Sequence, residues 1–136
     1  MRSVANSWPK PPAPVPGLCG CAFRAIGYLP AMTSTEVIDQ IGARLARAAP
    51  PRSRVLLFGS HARGAATEDS DFDVLVIEPT VASPISEAVR LRRELRGLGV
   101  PIDVIVMDEA KAERRAAVRG TMVERALREG RLLAQT

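Results

Sequence analysis

Val55-Leu56-Leu57-Phe58-Gly59-Ser60, then positions 61 to 70, then Asp71-Phe72-Asp73-Val74-Leu75-Val76-Ile77: the fold and chemistry of this chain turn on this stretch. The opening apolar run is short enough to be a buried strand, and Gly59-Ser60 breaks it. A polar loop ending in Glu68-Asp69-Ser70 leads to a second strand that begins on Asp71. Side chains alternate along a strand, so Asp71 and Asp73 share a face, their α-carbons roughly 6–7 Å apart. Phe72, Val74 and Val76 take the opposite face and anchor the pair to a core. Two carboxylates held this close repel by up to about 4 kcal/mol in a partly screened setting. A divalent cation between them reverses the sign of that interaction. The Gly-Ser turn directly after a strand lets a phosphate approach the backbone closely. A phosphate binder facing a cation binder suits a metal-bound nucleoside triphosphate. A bare Asp-x-Asp is more often a solvated loop–strand junction, and it is the turn and the spacing that tip the balance here.

These residues carry a resemblance. Gly59-Ser60 followed at this spacing by Asp71-x-Asp73 resembles the signature of the polymerase-β-type nucleotidyltransferases. The fuller form, Gly59-Ser60-His61-Ala62-Arg63-Gly64 with Ser70-Asp71-Phe72-Asp73-Val74-Leu75-Val76, is similar to the minimal nucleotidyltransferase branch. That branch commonly occurs as the antitoxin partner of a HEPN-domain toxin. The resemblance runs from about Thr33 to the C-terminus and leaves the first thirty or so residues unmatched.

Working outward, the upstream segment to Ala31 reads differently from the rest. Pro9, Pro11, Pro12, Pro14 and Pro16 favour extended, poorly ordered backbone. Cys19 and Cys21 could form a weak metal or redox pair. Two ligands do not complete a zinc site, however, and a C-x-C disulfide is strained, so free thiols are the simpler reading. The prolines, Arg2 and the lack of a clean apolar segment argue against a signal peptide. Met32 looks like a natural start. Residues 1–31 are therefore expected to be a disordered tail or an upstream extension, and 33–136 the minimal nucleotidyltransferase domain.

Thr33-x-x-Glu36 makes a capping box for a helix whose Val37, Ile38, Ile41 and Leu45 share one face, and Pro50-Pro51 ends it. Between the strands lie two further candidates. His61, the single histidine, could serve as general base or phosphate contact, although a tolerant loop position is the plainer reading. Arg63 can grip triphosphate oxygens with two donors or pair with Glu68 or Asp69, and both readings stand. Downstream, Pro79 marks the strand exit. Ser83 or Ser86 caps a helix carrying Ile85, Ala88, Leu91, Leu95 and Leu98 inward. Arg90, Arg92 and Arg93 point outward, as a solvated face or a partner-docking surface. Gly97 and Gly99 close this helix. Pro101 to Met107 is a third strand in which Asp103 is one acid among apolar residues. A lone buried carboxylate costs several kcal/mol unless paired, metal-bound or protonated. Asp103 is therefore a candidate for the third acid that the resemblance implies beside the Asp-x-Asp, the other reading being a strand-entrance aspartate exposed at the sheet edge. Asp108 caps the next helix. Thr121-x-x-Glu124 caps the last, which stops at Gly130, and Arg131-Leu132-Leu133 folds back over the core.

With 136 residues and no duplication, one domain is expected. Nearly half the residues are apolar but only 4% aromatic, so the core must be built of Val, Leu, Ile and Ala. No apolar run approaches the ~18 residues that span a bilayer, and a cytoplasmic protein without membrane contacts is expected. The net charge of +4 is too dispersed to argue direct nucleic-acid binding, so none is expected.

The alternating elements imply an α/β (α+β) domain with a small three-stranded sheet covered by helices on one side. By resemblance, the sheet is expected to be mixed and to carry a catalytic cleft on its other side. The resemblance implies a polymerase-β-like palm, ATP as substrate and Mg2+ as cofactor. It further implies that Asp71 and Asp73 hold two ions, Asp103 serves the attacking hydroxyl by metal ligation or proton transfer, and Gly59 and Ser60 hold the outer phosphates. With about thirty residues beyond Asp103 there is little room for an acceptor-binding domain. The expected acceptor is therefore a partner protein, by resemblance a HEPN toxin adenylylated on a tyrosine. A stand-alone transferase acting on a small molecule and a non-catalytic docking antitoxin with a relic nucleotide site are the alternatives.

Overall fold

A computed structural model of the chain describes residues 32–67 and 69–136. The tail with Cys19 and Cys21, and Glu68, lie outside the described residues. The element order is α1 (Ser34–Ala48), β1 (Arg54–Phe58), α2 (Ser60–Arg63), β2 (Phe72–Glu78), α3 (Pro84–Glu94), β3 (Ile102–Asp108), α4 (Glu109–Ala116), α5 (Met122–Glu129) and β4 (Arg131–Gln135). The strands form one mixed sheet in the order β3-β2-β1-β4. β1 runs antiparallel to both β2 and β4, whereas β2 and β3 are parallel. A parallel pair needs a crossover, which α3 supplies.

Local signals account for most element ends. Thr33 caps α1 with both halves of the capping box in place, Glu36 Oε2 accepting from Thr33 N at 2.7 Å. Ser83 caps α3 with Pro84 in its first turn, and Asp108 caps α4 by accepting from Lys111 N at 2.7 Å. Thr121 caps α5, but Glu124 Oε2 accepts from Gly120 N rather than from the cap residue itself. No helix among the described residues is long and apolar enough to cross a membrane.

Two features differ from the expected layout. The sheet has four strands, because Arg131–Gln135 does more than fold back: it pairs with the free edge of β1, placing Ala134 opposite Val55 and Leu132 opposite Leu56. An unpaired edge leaves backbone donors and acceptors unsatisfied, and β4 satisfies them. Helices also flank both faces rather than one. Val55, Leu57, Val74, Val76, Val104 and Val106 pack on α1 and α3. Leu56, Phe58, Leu75, Ile77 and Met107 pack on Ala112 of α4 and on Val123 and Ala126 of α5. The unbroken apolar run Val74–Ile77 is the mark of a strand covered on both sides. In α3, Leu91 is buried as expected, but Ile85, also expected inward, is 80% exposed.

Where β2 leaves the sheet, Glu78 is 2% exposed, and its Oε1 has no hydrogen-bond partner among the described residues. Arg90 of α3 chelates Glu87 and donates from Nη2 to the Ala48 carbonyl at 2.9 Å, fastening α3 to the end of α1. Arg90, expected on the outer face, is therefore pinned. Burial, then the Glu87 charge and a hydrogen bond with Glu87, push the Glu78 carboxyl up to about 7, against the pull of Arg90. A carboxyl raised above its unfolded value favours the folded state while protonated. That contribution is complete below the ordinary glutamate range and is lost as the pH climbs through about 7. Glu78→Gln is thus expected to be more stable than the wild type by on the order of 2 kcal/mol at about pH 8, with little difference at about pH 4. Urea denaturation at both pH values measures the gap, and a gap independent of pH would count against a strained Glu78 carboxylate.

Candidate active site

The site is assembled at one end of the sheet by register. Phe58, the last residue of β1, stands opposite Asp73, and Asp73 stands beside Asp103 in the parallel pairing of β2 with β3. Asp71 lies just before β2, which begins at Phe72 rather than at Asp71 as expected. The face that carries Asp73 continues into Leu75 and Ile77, which α4 and α5 cover. The half-buried Asp73 and the exposed Asp71 and Asp103 lie at the end of that face.

Gly59 is required here. Its φ is +78°, and a β-carbon added to it would overlap Asp73 Oδ2 and stand 3.3 Å from Asp73 Cγ. The turn and the acid are therefore packed directly together, glycine leaving room for the carboxylate. Ser60 opens the short α2 turn, in which Arg63 N donates to Gly59 O at 3.2 Å and Ala65 N to Ser60 O at 3.0 Å. The expected open loop is thus partly helical. His61 stacks on Phe72 with ring centroids 3.7 Å apart and planes inclined by 11°. Its Nε2 also lies 3.1 Å from the Ser70 carbonyl oxygen. His61 therefore braces the entry to the Asp-x-Asp strand from the Gly-Ser side, a contact that sequence reasoning did not foresee.

Electrostatics mark Asp73 out. Burial, then the charges of Asp103 and Asp71, raise its carboxyl above the ordinary aspartate value, while His61 opposes them. Clustered acids that strain one another are a common sign of a functional site. The donors are all carboxylate oxygens, the ligand type magnesium prefers, and the mutual repulsion around Asp73 is what a divalent cation relieves. The residues present therefore fit Mg2+ held chiefly by Asp71 and Asp73.

Asp103 takes the exposed setting at the sheet edge rather than a buried one. Its side chain is 59% exposed, and Oδ1 accepts from Arg92 Nη2 at 2.9 Å. β3 is an edge strand, so its apolar pattern still leaves Asp103 open to solvent and to a long side chain from α3. With that oxygen turned to Arg92, no three His, Cys, Asp or Glu side chains form a ready-made metal cage among the described residues. Arg63 also differs. Nη1 lies 3.7 Å from Glu129 Oε2, at the end of α5, rather than pairing with Asp69. A groove of about 670 Å³ opens beside these acids, lined by Asp71, Arg92, Arg96, Gly97, Gly99 and Asp103 among others. The arginine-rich pattern of α3 was the signal that could have revealed this wall.

Residues 38–132 match the family model described as the nucleotidyltransferase domain. Among solved structures, a candidate nucleotidyltransferase from Sulfolobus solfataricus is similar at 25% identity with a TM-score of 0.51. That match covers 73% of this chain and 78% of the other. A candidate minimal nucleotidyltransferase shares 34% identity over 68% of this chain and 85% of its own, with a TM-score of 0.46. A toxin-antitoxin structure with AMP-PNP is 20% identical over 72% of this chain and 73% of its own, with a TM-score of 0.47. No curated protein matches. The family model runs from within α1 to the start of β4 and so includes β1, β2, β3 and every acid of the site: the chain belongs to the nucleotidyltransferase domain family.

Proposed function

We propose that this chain transfers AMP from ATP to a hydroxyl of a partner protein, and that the partner is a toxin of the HEPN type which the modification neutralises. The observation that carries the chemistry is the register across three adjacent strands. It sets the Gly59-Ser60 turn, Asp73 and Asp103 side by side. In this reading Gly59 and Ser60 hold the outer phosphates, with Arg63 released from Glu129 to join them. Asp71 and Asp73 hold magnesium. When bound, the metal neutralises triphosphate charge and makes the α-phosphorus more electrophilic. Asp103 accepts the proton of the acceptor hydroxyl as its oxygen attacks the α-phosphorus. The new O–P bond forms as the bond from the α-phosphorus to the bridging oxygen breaks, and pyrophosphate leaves with that electron pair. The chain thus supplies position and charge rather than a covalent intermediate.

The partner part of the proposal rests on the motif, which is similar to that of the minimal nucleotidyltransferase branch. The described residues beyond Asp103 form the rest of β3, the short helices α4 and α5, and β4. The test is to incubate the chain with labelled ATP, Mg2+ and the product of its neighbouring gene. A mass gain of one AMP on that product, mapped to a tyrosine, is the expected result. Tight binding without any label would instead favour a docking antitoxin, and label on a small molecule alone would remove the protein acceptor.

A further inference from the structure

We propose that the groove between α3 and the start of β3 is the acceptor subsite, and that it takes an acidic protein segment whose carboxylate replaces Asp103 as the partner of Arg92. The inference rests on the transferase reading above and adds the chemical character of the acceptor. The sheet order separates two approaches to Asp73. The Gly59-Ser60 turn flanks it from β1, whereas Asp103 and the groove flank it from β3. A nucleotide held at the turn leaves the β3 side for the acceptor.

The groove is built rather than incidental. Arg44 of α1 donates from Nη1 to the carbonyls of Arg96 at 2.9 Å and Glu94 at 3.4 Å, tying down the end of α3. Gly97 and Gly99, with φ of +89° and +70°, then turn the chain back into β3. Arg92 and Arg96, four residues apart, both line the cavity. Arg92 pairs with Asp103, while no ion pair is formed by Arg96 among the described residues. Arg96 is thus a positive charge without an ion-pair partner on the α3 side, while Asp71 and Asp103 bring the formal charge of the whole lining to zero.

The Arg92–Asp103 pair can be exchanged. Both side chains are more than half exposed, and such surface pairs contribute only about 0–1 kcal/mol. An incoming carboxylate can take the Arg92 fork with two parallel bonds, at little net cost, and Arg96 adds to its attraction. Asp103 Oδ1 is then free to turn toward the hydroxyl that the same segment brings. A basic or neutral segment offers Arg92 no such exchange. A nucleic-acid strand is disfavoured because the lining contains no aromatic ring on which a base could stack.

Four probes test this by NMR on the full chain labelled with 15N and 13C: capped Asp-Tyr-Asp, Asn-Tyr-Asn and Lys-Tyr-Lys, and a short oligothymidylate. Asp-Tyr-Asp is expected to shift the Gly97 and Gly99 amides saturably and to move the Asp103 carboxyl carbon as Arg92 lets go. Its binding should be at least about tenfold tighter than that of Asn-Tyr-Asn, with Lys-Tyr-Lys weaker still. Arg92→Ala combined with Arg96→Ala should erase the difference, while Arg92→Lys should keep part of it. Both arginines are exposed, so circular dichroism of the variants should be unchanged. Equal binding of the three peptides, a charge preference that survives the double substitution, or tighter groove binding by the oligonucleotide would overturn the proposal. The same peptides with labelled ATP separate the two readings. Groove binding without AMP transfer to any peptide supports the subsite and removes the enzyme, whereas transfer without charge preference retains the enzyme and removes the subsite.

Discussion

Asp73→Asn is expected to reduce nucleotidyl transfer by at least about a thousandfold and yet to melt at the same or a higher temperature than the wild type at neutral pH. On the proposed role, the loss follows from removing a charge that would hold the metal, where electrostatic stabilisation is worth several kcal/mol and each 1.4 kcal/mol is about tenfold in rate. The stability effect follows from the strain that marks the residue. Burial and the charges of Asp103 and Asp71 raise the Asp73 carboxyl above its ordinary value. Its contribution to folding is therefore favourable only while protonated and is lost as the pH rises past the ordinary aspartate range. Asparagine keeps the shape without the charge. Melting curves without metal at acid and neutral pH check the sign: the advantage of the variant should be largest at neutral pH and vanish in acid. Retained activity, or a melting temperature well below that of the wild type, would rule out the metal-holding role.

Asp103→Asn tests the other half of the site. Turnover should fall about 10²–10⁴-fold, the usual range for help from a general base. Binding of ATP with magnesium should change little, because Asp71, Asp73 and the Gly59-Ser60 turn are untouched. Stability should move by less than about 1 kcal/mol, since the pair lost with Arg92 is exposed. In cells the variant is expected to form the complex with its partner without neutralising it. Growth rescue at wild-type expression levels would instead mean that docking alone suffices, which is the antitoxin reading without catalysis.

Legibility in the sequence followed the range of the interactions involved. The cap at Thr33, the buried face of α1, the three apolar strands and the Asp-x-Asp after a Gly-Ser turn were all readable, because each is encoded by residues within a few positions of one another. The family, too, was legible from that local spacing. What sequence reading missed depends on partners distant in the chain. β4 was read as a cover because Arg131-Leu132-Leu133 gives no sign of the β1 edge it pairs with, more than seventy residues away. The apolar neighbours of Asp103 leave burial and exposure at the sheet edge both open; the strand order makes β3 an edge and lets Arg92 reach the exposed carboxylate. The same holds for Arg63 with Glu129, for His61 stacked on Phe72, and for Glu78 crowded against Glu87. The sequence by itself thus determined the motif, the family and the elements other than α2 and β4. The tertiary structure decided which side chains meet, because a side chain's environment depends on register and strand order, which local composition does not encode.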